Sequence, residues 1–328
     1  MKSTSSTLTT NVPEHSLAHL GEVELIRRIS DWLGPVSPPS PEGMGDDCAV
    51  IRQTGQGQQI LTTDAVSYGQ HFDDQVSPED AGAKLIKRNL SDIAAMGGIP
   101  GPAVLALLCG PDISLEWLES FFRGIRRVCE QYAVPLVGGD ISSLRPGNFS
   151  AVLSLTGRTE TPRLRHTARN GDSIYVTGQL GGSILGKHYK FEPRLEAGRW
   201  IAGRPESTAM MDLTDGLAKD LRALIPPDCA AALHPSRFPL SDDARTLAQT
   251  TGLDPEEHAF CDGEDYELLF CLDGKTDTTS FEADWKATFP QLKITRIGSF
   301  VCGSPERPFV DAASNEDLPW SRGFEHLR

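Results

Sequence analysis

SPEDAGAKLIKRNLSDIAAMGGIPGPAVLALLC, residues 77–109, holds one helix and one strand back to back. Ser77 is placed to cap a helix. Pro78 fills the first helical position, where its missing N–H costs nothing, and Asp80 stands at the capping-box position. The predicted helix runs to Met96 and stops at Gly97-Gly98, which supply the backbone freedom of a helix C-terminus. The apolar run Pro102–Cys109 then reads as a buried strand. The same alternation continues with a helix over Ser114–Tyr132 and strands at Val134–Val137 and Phe149–Gly157.

Upstream, Glu22–Leu33 carries Val23, Ile26 and Ile29 at helical spacing, and a proline- and glycine-rich loop follows from Pro35 to Gly45. Short strands are expected at Cys48–Ile51 and Gln59–Thr63, around the turn Thr54-Gly55-Gln56-Gly57. Downstream, the polar and basic stretch Arg158–Gly171 marks a domain boundary. Beyond it come strands at Ser173–Thr177, Ala230–Leu233, Tyr266–Leu272 and Lys293–Ser299. Helices are expected through Leu217, Leu221 and Leu224, at Asp242–Thr250 and at Thr278–Thr288. Alternating strands and helices in both halves predict a two-domain α/β (α+β) architecture. The expected division is a disordered tail over 1–20, an N-terminal domain over 21–160 and a C-terminal α/β domain over 161–328.

Composition narrows the function classes. Hydrophobic residues make up 39% of the 328, enough for a packed core. A formal net charge of −14 argues against a nucleic-acid surface, which needs a basic stripe. The seven cysteines include no Cys-x-x-Cys pair, so neither zinc-finger spacing nor a secreted disulfide framework fits. Cys109 and Cys271 end apolar runs and read as small core residues. The Ser/Thr-rich start, Met1–Val12, lacks the apolar core of a signal peptide, and no run reaches a membrane span. A soluble, cytoplasmic protein with no membrane or nucleic-acid partner is expected.

Six acidic motifs beside small residues carry the chemistry: Gly45-Asp46-Asp47, Thr62-Thr63-Asp64, Asn89-Leu90-Ser91-Asp92, Gly138-Gly139-Asp140, Asp212-Leu213-Thr214-Asp215-Gly216 and Gly263-Glu264-Asp265-Tyr266-Glu267. Mg²⁺ takes such oxygen ligands and bridges to phosphate, so a gathered set would form a metal–phosphate site. Each also has an ordinary reading. Asp212, Thr214 or Asp215 suits a helix N-cap, though two anions at one helix start repel unless a cation lies between them. Asp92 shares a helix face with Lys84, Arg88 and Ser91 and reads alone as a surface salt-bridge site. Asp140 reads either as a tight turn or as a carboxylate at a strand's C-terminal end. His71 reads as loop polarity, and Glu264, Asp265 and Glu267 as a solvated acidic turn. Gly181-Gly182-Ser183-Ile184-Leu185-Gly186-Lys187-His188 nearly spells a P-loop, but His188 stands where that loop needs a Ser or Thr to ligate Mg²⁺. A glycine-rich strand-to-helix turn is the better reading.

Together with Gly171-Asp172 leading to Val176-Thr177-Gly178, these motifs resemble, in order, those of thiamine-monophosphate kinases over about Glu22–Phe324. The resemblance implies an N-terminal mixed sheet that pairs with a second subunit in a homodimer, and a C-terminal α/β domain. It implies ATP-dependent phosphorylation of thiamine monophosphate to thiamine diphosphate with several Mg²⁺ ions. It carries metal ligation onto Asp46, Thr63, Asp64, Asp92, Asp140, Asp212 and Asp215, and ATP contact onto Gly139, Asp140, Arg165 and Thr214. Thiamine-phosphate contact falls on His71, Glu264 and Phe324. Thr214 stands where the family more often has Ser, which keeps the hydroxyl, and Arg165 lies in Arg165-His166-Thr167-Ala168 where Arg-Ser-Gly-Ala is usual.

The acceptor, a phosphate oxygen with a second pKa of about 6, is largely ionised at neutral pH and needs no general base. Direct in-line transfer with no nucleophile on the enzyme is therefore expected, with positioning and charge neutralisation as the main contributions. Three alternatives share the carboxylates: a Mg²⁺-dependent phosphohydrolase, another ATP-using member of the superfamily that the resemblance implies, and a non-catalytic nucleotide binder.

Overall fold

The computed structural model describes residues 8–20, 22–38, 58–320 and 323. They fall into two compact units. One takes the described residues up to Ile93 together with Ile99–Glu160; the other takes Ala94–Gly98 with the described residues from Thr161 on.

The first unit is a four-stranded mixed sheet with helices. Its strands are β1 (Gln58–Ser67), β2 (Ile99–Cys109), β3 (Leu136–Ser143) and β4 (Phe149–Thr159), in the order β1-β4-β2-β3. β4 runs antiparallel to both β1 and β2, while β2 and β3 are parallel. Its helices are α1 (Leu17–Leu20), α2 (Glu22–Leu33), α3 (Pro78–Ala95) and α4 (Leu115–Tyr132).

The capping box of α3 forms as its residues dictate: Ser77 Oγ accepts from Asp80 N–H at 3.1 Å and donates to Asp80 Oδ2 at 2.8 Å. Gly97, at φ 64°, follows the helix end. What the periodicity did not reveal is that α3 is buried on nearly every side. Lys84 is 0% and Ser91 2% exposed, so the face carrying Asp92 is not a solvated salt-bridge face. α3 and α4 meet backbone to backbone: a Cβ on Gly82 would lie 2.0 Å from Phe121 O, and one on Gly124 1.8 Å from Glu79 O. Gly82→Ala is accordingly expected to destabilise by about 1–3 kcal/mol, the cost of forcing extra volume into a packed contact, read as a lower melting temperature. An unchanged melting point would show that the helices separate freely.

One sheet face packs on these helices through Val66, Leu105, Leu107, Leu153 and Leu155, with Phe149 meeting Phe72, Trp117 and Phe121 edge to face. The opposite face is open, with Leu61 71% and Val104 40% exposed, so β2 is buried on one side only. β3 also departs from expectation. It continues through Gly138-Gly139-Asp140 because these residues pair with Val104, Leu105 and Ala106 of β2. Asp140 thus sits inside a strand rather than in a turn. Residues 8–20, expected to be part of a disordered tail, are placed: Leu8 and Leu17 are buried, and Ser114 N–H donates to Leu8 O at 2.7 Å.

The second unit has β5 (Ser173–Thr177), β6 (Ser207–Asp212), β7 (Cys229–Leu233), β8 (Leu268–Leu272), β9 (Ile294–Cys302) and β10 (Phe309–Asp311), in the order β10-β7-β9-β5-β8-β6. All neighbours are antiparallel except β10 and β7. Around the sheet lie α5 (Lys187–Lys190), α6 (Leu195–Ala202), α7 (Leu217–Asp220), α8 (Asp242–Thr251), α9 (Pro255–Cys261) and α10 (Thr278–Thr288). Ile174, Val176, Leu217, Leu221, Phe260 and Leu269 belong to its core. The helix read through Leu217, Leu221 and Leu224 is one short turn continued by a 3₁₀ segment, Leu221–Ala223, ahead of Pro226-Pro227. β8 starts at Leu268 rather than Tyr266, because Glu264 and Tyr266 adopt left-handed backbone at φ 62° and 50°.

Candidate active site

In the first unit, β1 and α3 bring three of the motifs' side chains together. Arg88 Nη2 donates to Asp64 Oδ1 at 2.8 Å, and Thr62 Oγ1 donates to Asp92 Oδ2 in a close contact. The pleat of β1 puts Thr62 and Asp64 on the helix side. Thr63 points the other way, toward Leu153 O at 3.0 Å and the hydroxyl of its cross-strand partner Ser154 at 3.2 Å. Any contribution of residue 63 to the Asp64–Asp92 group would therefore come through its main chain. Asp140 also lies on the open side. It is opposite Ala106, its carboxylate accepts from Ser142 Oγ at 3.0 Å, and it is exposed. Only glycine fits at 139, since a Cβ there would stand 1.8 Å from Leu105 O.

His71 has a defined tautomer. Ser67 N–H donates to His71 Nδ1 at 3.0 Å, so the neutral ring carries its proton on Nε2 and presents a donor there. The buried Lys84 ammonium donates to His71 O at 2.8 Å, and Phe72 is stacked on Trp117, which together fix the turn. Asp46 and Phe324 lie outside the described residues.

In the second unit the last two motifs form one assembly. β6 and β8 are neighbours, and beyond their ends Glu264 N–H donates to Thr214 O at 2.7 Å, Tyr266 N–H to Leu213 O at 2.8 Å and Leu213 N–H to Glu267 O at 2.9 Å. Among the described residues no side chain caps α7, so Asp212, Thr214 and Asp215 are not there as caps. Asp220, which sequence reading passed over, reaches back instead: its Oδ2 accepts from Thr214 and Asp215 N–H at 2.9 and 3.0 Å. Burial pushes the Asp220 carboxyl up to about 7, and the neighbouring Asp212 and Asp215 carboxylates push the same way. Lys219 Nζ donates to Asp215 Oδ2 at 2.6 Å. Arg165 is exposed in a 3₁₀ turn, Arg165–Thr167.

Among the described residues, no three Asp, Glu, His or Cys side chains form a ready-made metal cage. Mg²⁺ binds through one or two carboxylates, keeps several waters and takes phosphate oxygens for the rest. The all-oxygen donors and the crowding of Asp212, Asp215 and Asp220 fit such a hard cation.

The P-loop look-alike is already filled by the chain itself. Gly181 N–H donates to both Asp265 oxygens at 3.0 and 3.1 Å, and Gly182 N–H to Asp262 Oδ2 at 3.0 Å. Its lysine, Lys187, lies 3.1 Å from Glu267 and 3.6 Å from Asp265. The acidic turn is thus not solvated: Asp265 and Glu267 are buried beneath it. Burial pushes the Asp265 carboxyl up to about 7 against the pull of Lys187 and Gly181 N–H. A carboxyl raised in the fold contributes stability that is present in acid and lost as pH rises through about 7. Asp265→Asn keeps an acceptor for Gly181. Its melting temperature is expected to gain on wild type by several degrees between about pH 5 and pH 8. A pH-independent difference would contradict the burial argument.

Residues 45–159 match the family model of the AIR synthase related protein, N-terminal domain. The chain is 36% identical to thiamine-monophosphate kinase of Rhodopirellula baltica, covering 88% of this chain and 92% of that one. With the Haemophilus influenzae enzyme of the same name it shares 31% identity over 94% of this chain and 98% of the relative. Its fold superposes on AaThiL complexed with AMPPCP and TMP with a TM-score of 0.71 at 28% identity, covering 98% and 100% of the two chains. No described helix is long and apolar enough to cross a membrane. Similarity that runs the length of the chain at this identity leaves one assignment: the chain belongs to the thiamine-monophosphate kinase family.

Proposed function

We propose that this chain transfers the terminal phosphoryl group of ATP directly to the phosphate of thiamine monophosphate, giving thiamine diphosphate and ADP. The observation that carries the reading is the end-to-end similarity to AaThiL, a structure that holds AMPPCP and TMP. The side chains support it. Mg²⁺, several ions in all, would be held by Asp46, Asp64, Asp92, Asp140, Asp212 and Asp215 with residue 63, and would offset the charge of two phosphate groups brought together. Thr214, Gly139, Asp140 and Arg165 are assigned to ATP; His71, Glu264 and Phe324 to thiamine monophosphate.

Each side chain has work suited to its chemistry. Arg88 holds Asp64, and Thr62 holds Asp92, so both carboxylates meet a ligand without first reorganising. His71 presents its Nε2–H to a phosphate oxygen. Glu264, 30% exposed, is the carboxylate for the cationic thiazolium ring, and Phe324 is the aromatic partner of a substrate ring. No residue is assigned as nucleophile or base. The Asp265-filled glycine loop takes no phosphate.

Incubation with Mg-ATP and thiamine monophosphate should produce thiamine diphosphate and ADP in equal amounts. Phosphate release with no acceptor present would favour a hydrolase instead, and ATP consumption on a different acceptor would overturn the substrate. The partner we propose is a second copy of the chain, seated on the open face of the first sheet where Leu61 and Val104 are exposed. Light scattering should give a dimer in solution and a monomer for Leu61→Arg. We place the functional division at 160/161, with Mg²⁺/ATP binding and dimerisation on the N-terminal side and the α/β domain on the other.

A further inference from the structure

The segment from Lys187 to Arg194 engages every side chain of the motif Glu264-Asp265-Tyr266-Glu267. Lys187 stands against Asp265 and Glu267. His188 Nδ1 lies 3.6 Å from Glu264 Oε2. Phe191 stacks on Tyr266 with ring centres 3.8 Å apart, and Arg194 forks onto Glu267 with two bonds of 2.7 Å. The motif needs such support. Glu264 and Tyr266 both hold left-handed backbone, which non-glycine residues adopt at a cost and keep only where the surroundings impose it. Within the motif, Tyr266 Oη donates to Glu264 Oε1 at 3.1 Å. One Glu264 oxygen is thus set by Tyr266 and the other faces His188. His188 is itself buried at the end of the glycine loop, at the position that departs from a P-loop.

We propose that Lys187–Arg194 is a positioning brace for Glu264, with His188 as its contact residue, and that it sets the affinity for the cationic ring of thiamine monophosphate without touching it. This rests on the reading of Glu264 as the substrate carboxylate. A carboxylate held in one place by neighbours loses less freedom when it meets a cation, so the brace would act on binding of this substrate and leave ATP alone.

Calorimetric titration of the full-length protein with thiamine monophosphate, and separately with a non-hydrolysable ATP analogue, tests this. His188→Leu is expected to weaken thiamine monophosphate roughly tenfold, and His188→Asn, whose amide nitrogen stands where Nδ1 was, to restore most of that loss. Binding of the ATP analogue should stay within about twofold of wild type. The double variant His188→Leu/Glu264→Gln should bind no worse than Glu264→Gln alone, because both act through one carboxylate. Arg194→Lys, which keeps the charge and loses the fork, gives a milder second probe, expected to weaken thiamine monophosphate about threefold. Wild-type affinity in His188→Leu and Arg194→Lys, with Glu264→Gln weakened, overturns the proposal. So does additive loss in the double variant, or a parallel loss of ATP-analogue binding, since either marks a general structural role. An unaffected Glu264→Gln instead overturns the reading of Glu264 itself.

Discussion

Asp64→Asn, Asp92→Asn and Asp212→Asn are each expected to lower kcat for thiamine diphosphate formation by roughly 10²-fold or more while leaving the fold intact. Asparagine keeps the shape and one acceptor oxygen, so Arg88 retains a partner at 64 and Thr62 retains one at 92. What disappears is the negative charge. On the proposed metal-site reading that charge matters through the cations it would hold, and those cations would offset repulsion that grows as donor and acceptor approach. Asp212 adds a second readout. It is 2% exposed, and its carboxylate helps push Asp220 up. Neutralising it removes a buried repulsion, so the melting temperature of Asp212→Asn should match or exceed that of wild type even as activity collapses. Activity close to wild type in all three variants would sink the metal-site reading. Loss of activity together with a large drop in melting temperature would assign these residues to the fold instead.

How far residues announced their roles depended on the chain distance over which those roles are set. The Ser77–Asp80 capping box is a local pattern and forms as read. Gly138-Gly139-Asp140 leaves turn and strand both open because a Gly-Gly-Asp string has turn chemistry, and only pairing with β2 keeps it extended. The alternation that marks strands cannot say which face meets helices. Thr62 and Thr63 were therefore indistinguishable as partners for Asp92 until the sheet placed them on opposite sides. Asp220 was passed over because it sits inside a leucine-periodic turn that looks like ordinary helix surface. A glycine loop ending in lysine suits any anion, and here the anions are Asp265 and Glu267 from a distant part of the chain.

Arg194→Met is expected to destabilise the second unit by about 3 kcal/mol at neutral pH. Glu267 is 1% exposed, and its oxygens are already committed to Arg194, Lys187 at 3.1 Å and Thr177 Oγ1 at 2.7 Å. A Cβ on Gly178 would stand 2.1 Å from Glu267 Oε1, so the carboxylate has no room to turn toward solvent. Burial pushes the Glu267 carboxyl up, but Lys187, Arg194 and Thr177 together hold it below the ordinary carboxylate range. A carboxyl lowered in the fold contributes stability above its unfolded pKa and loses it as pH falls through the folded one. Removing Arg194 raises the folded value and takes that contribution away. The deficit should therefore be greatest near pH 7, a fall of about 6–12 °C in melting temperature for a unit of this size, and should shrink toward about pH 4 as Glu267 takes a proton. Lys187 limits the loss, because one cation still faces the carboxylate. A deficit that stays constant across this range would mean that Arg194 acts by filling space; one that narrows in acid means that the buried charge pair holds the motif carrying Glu264.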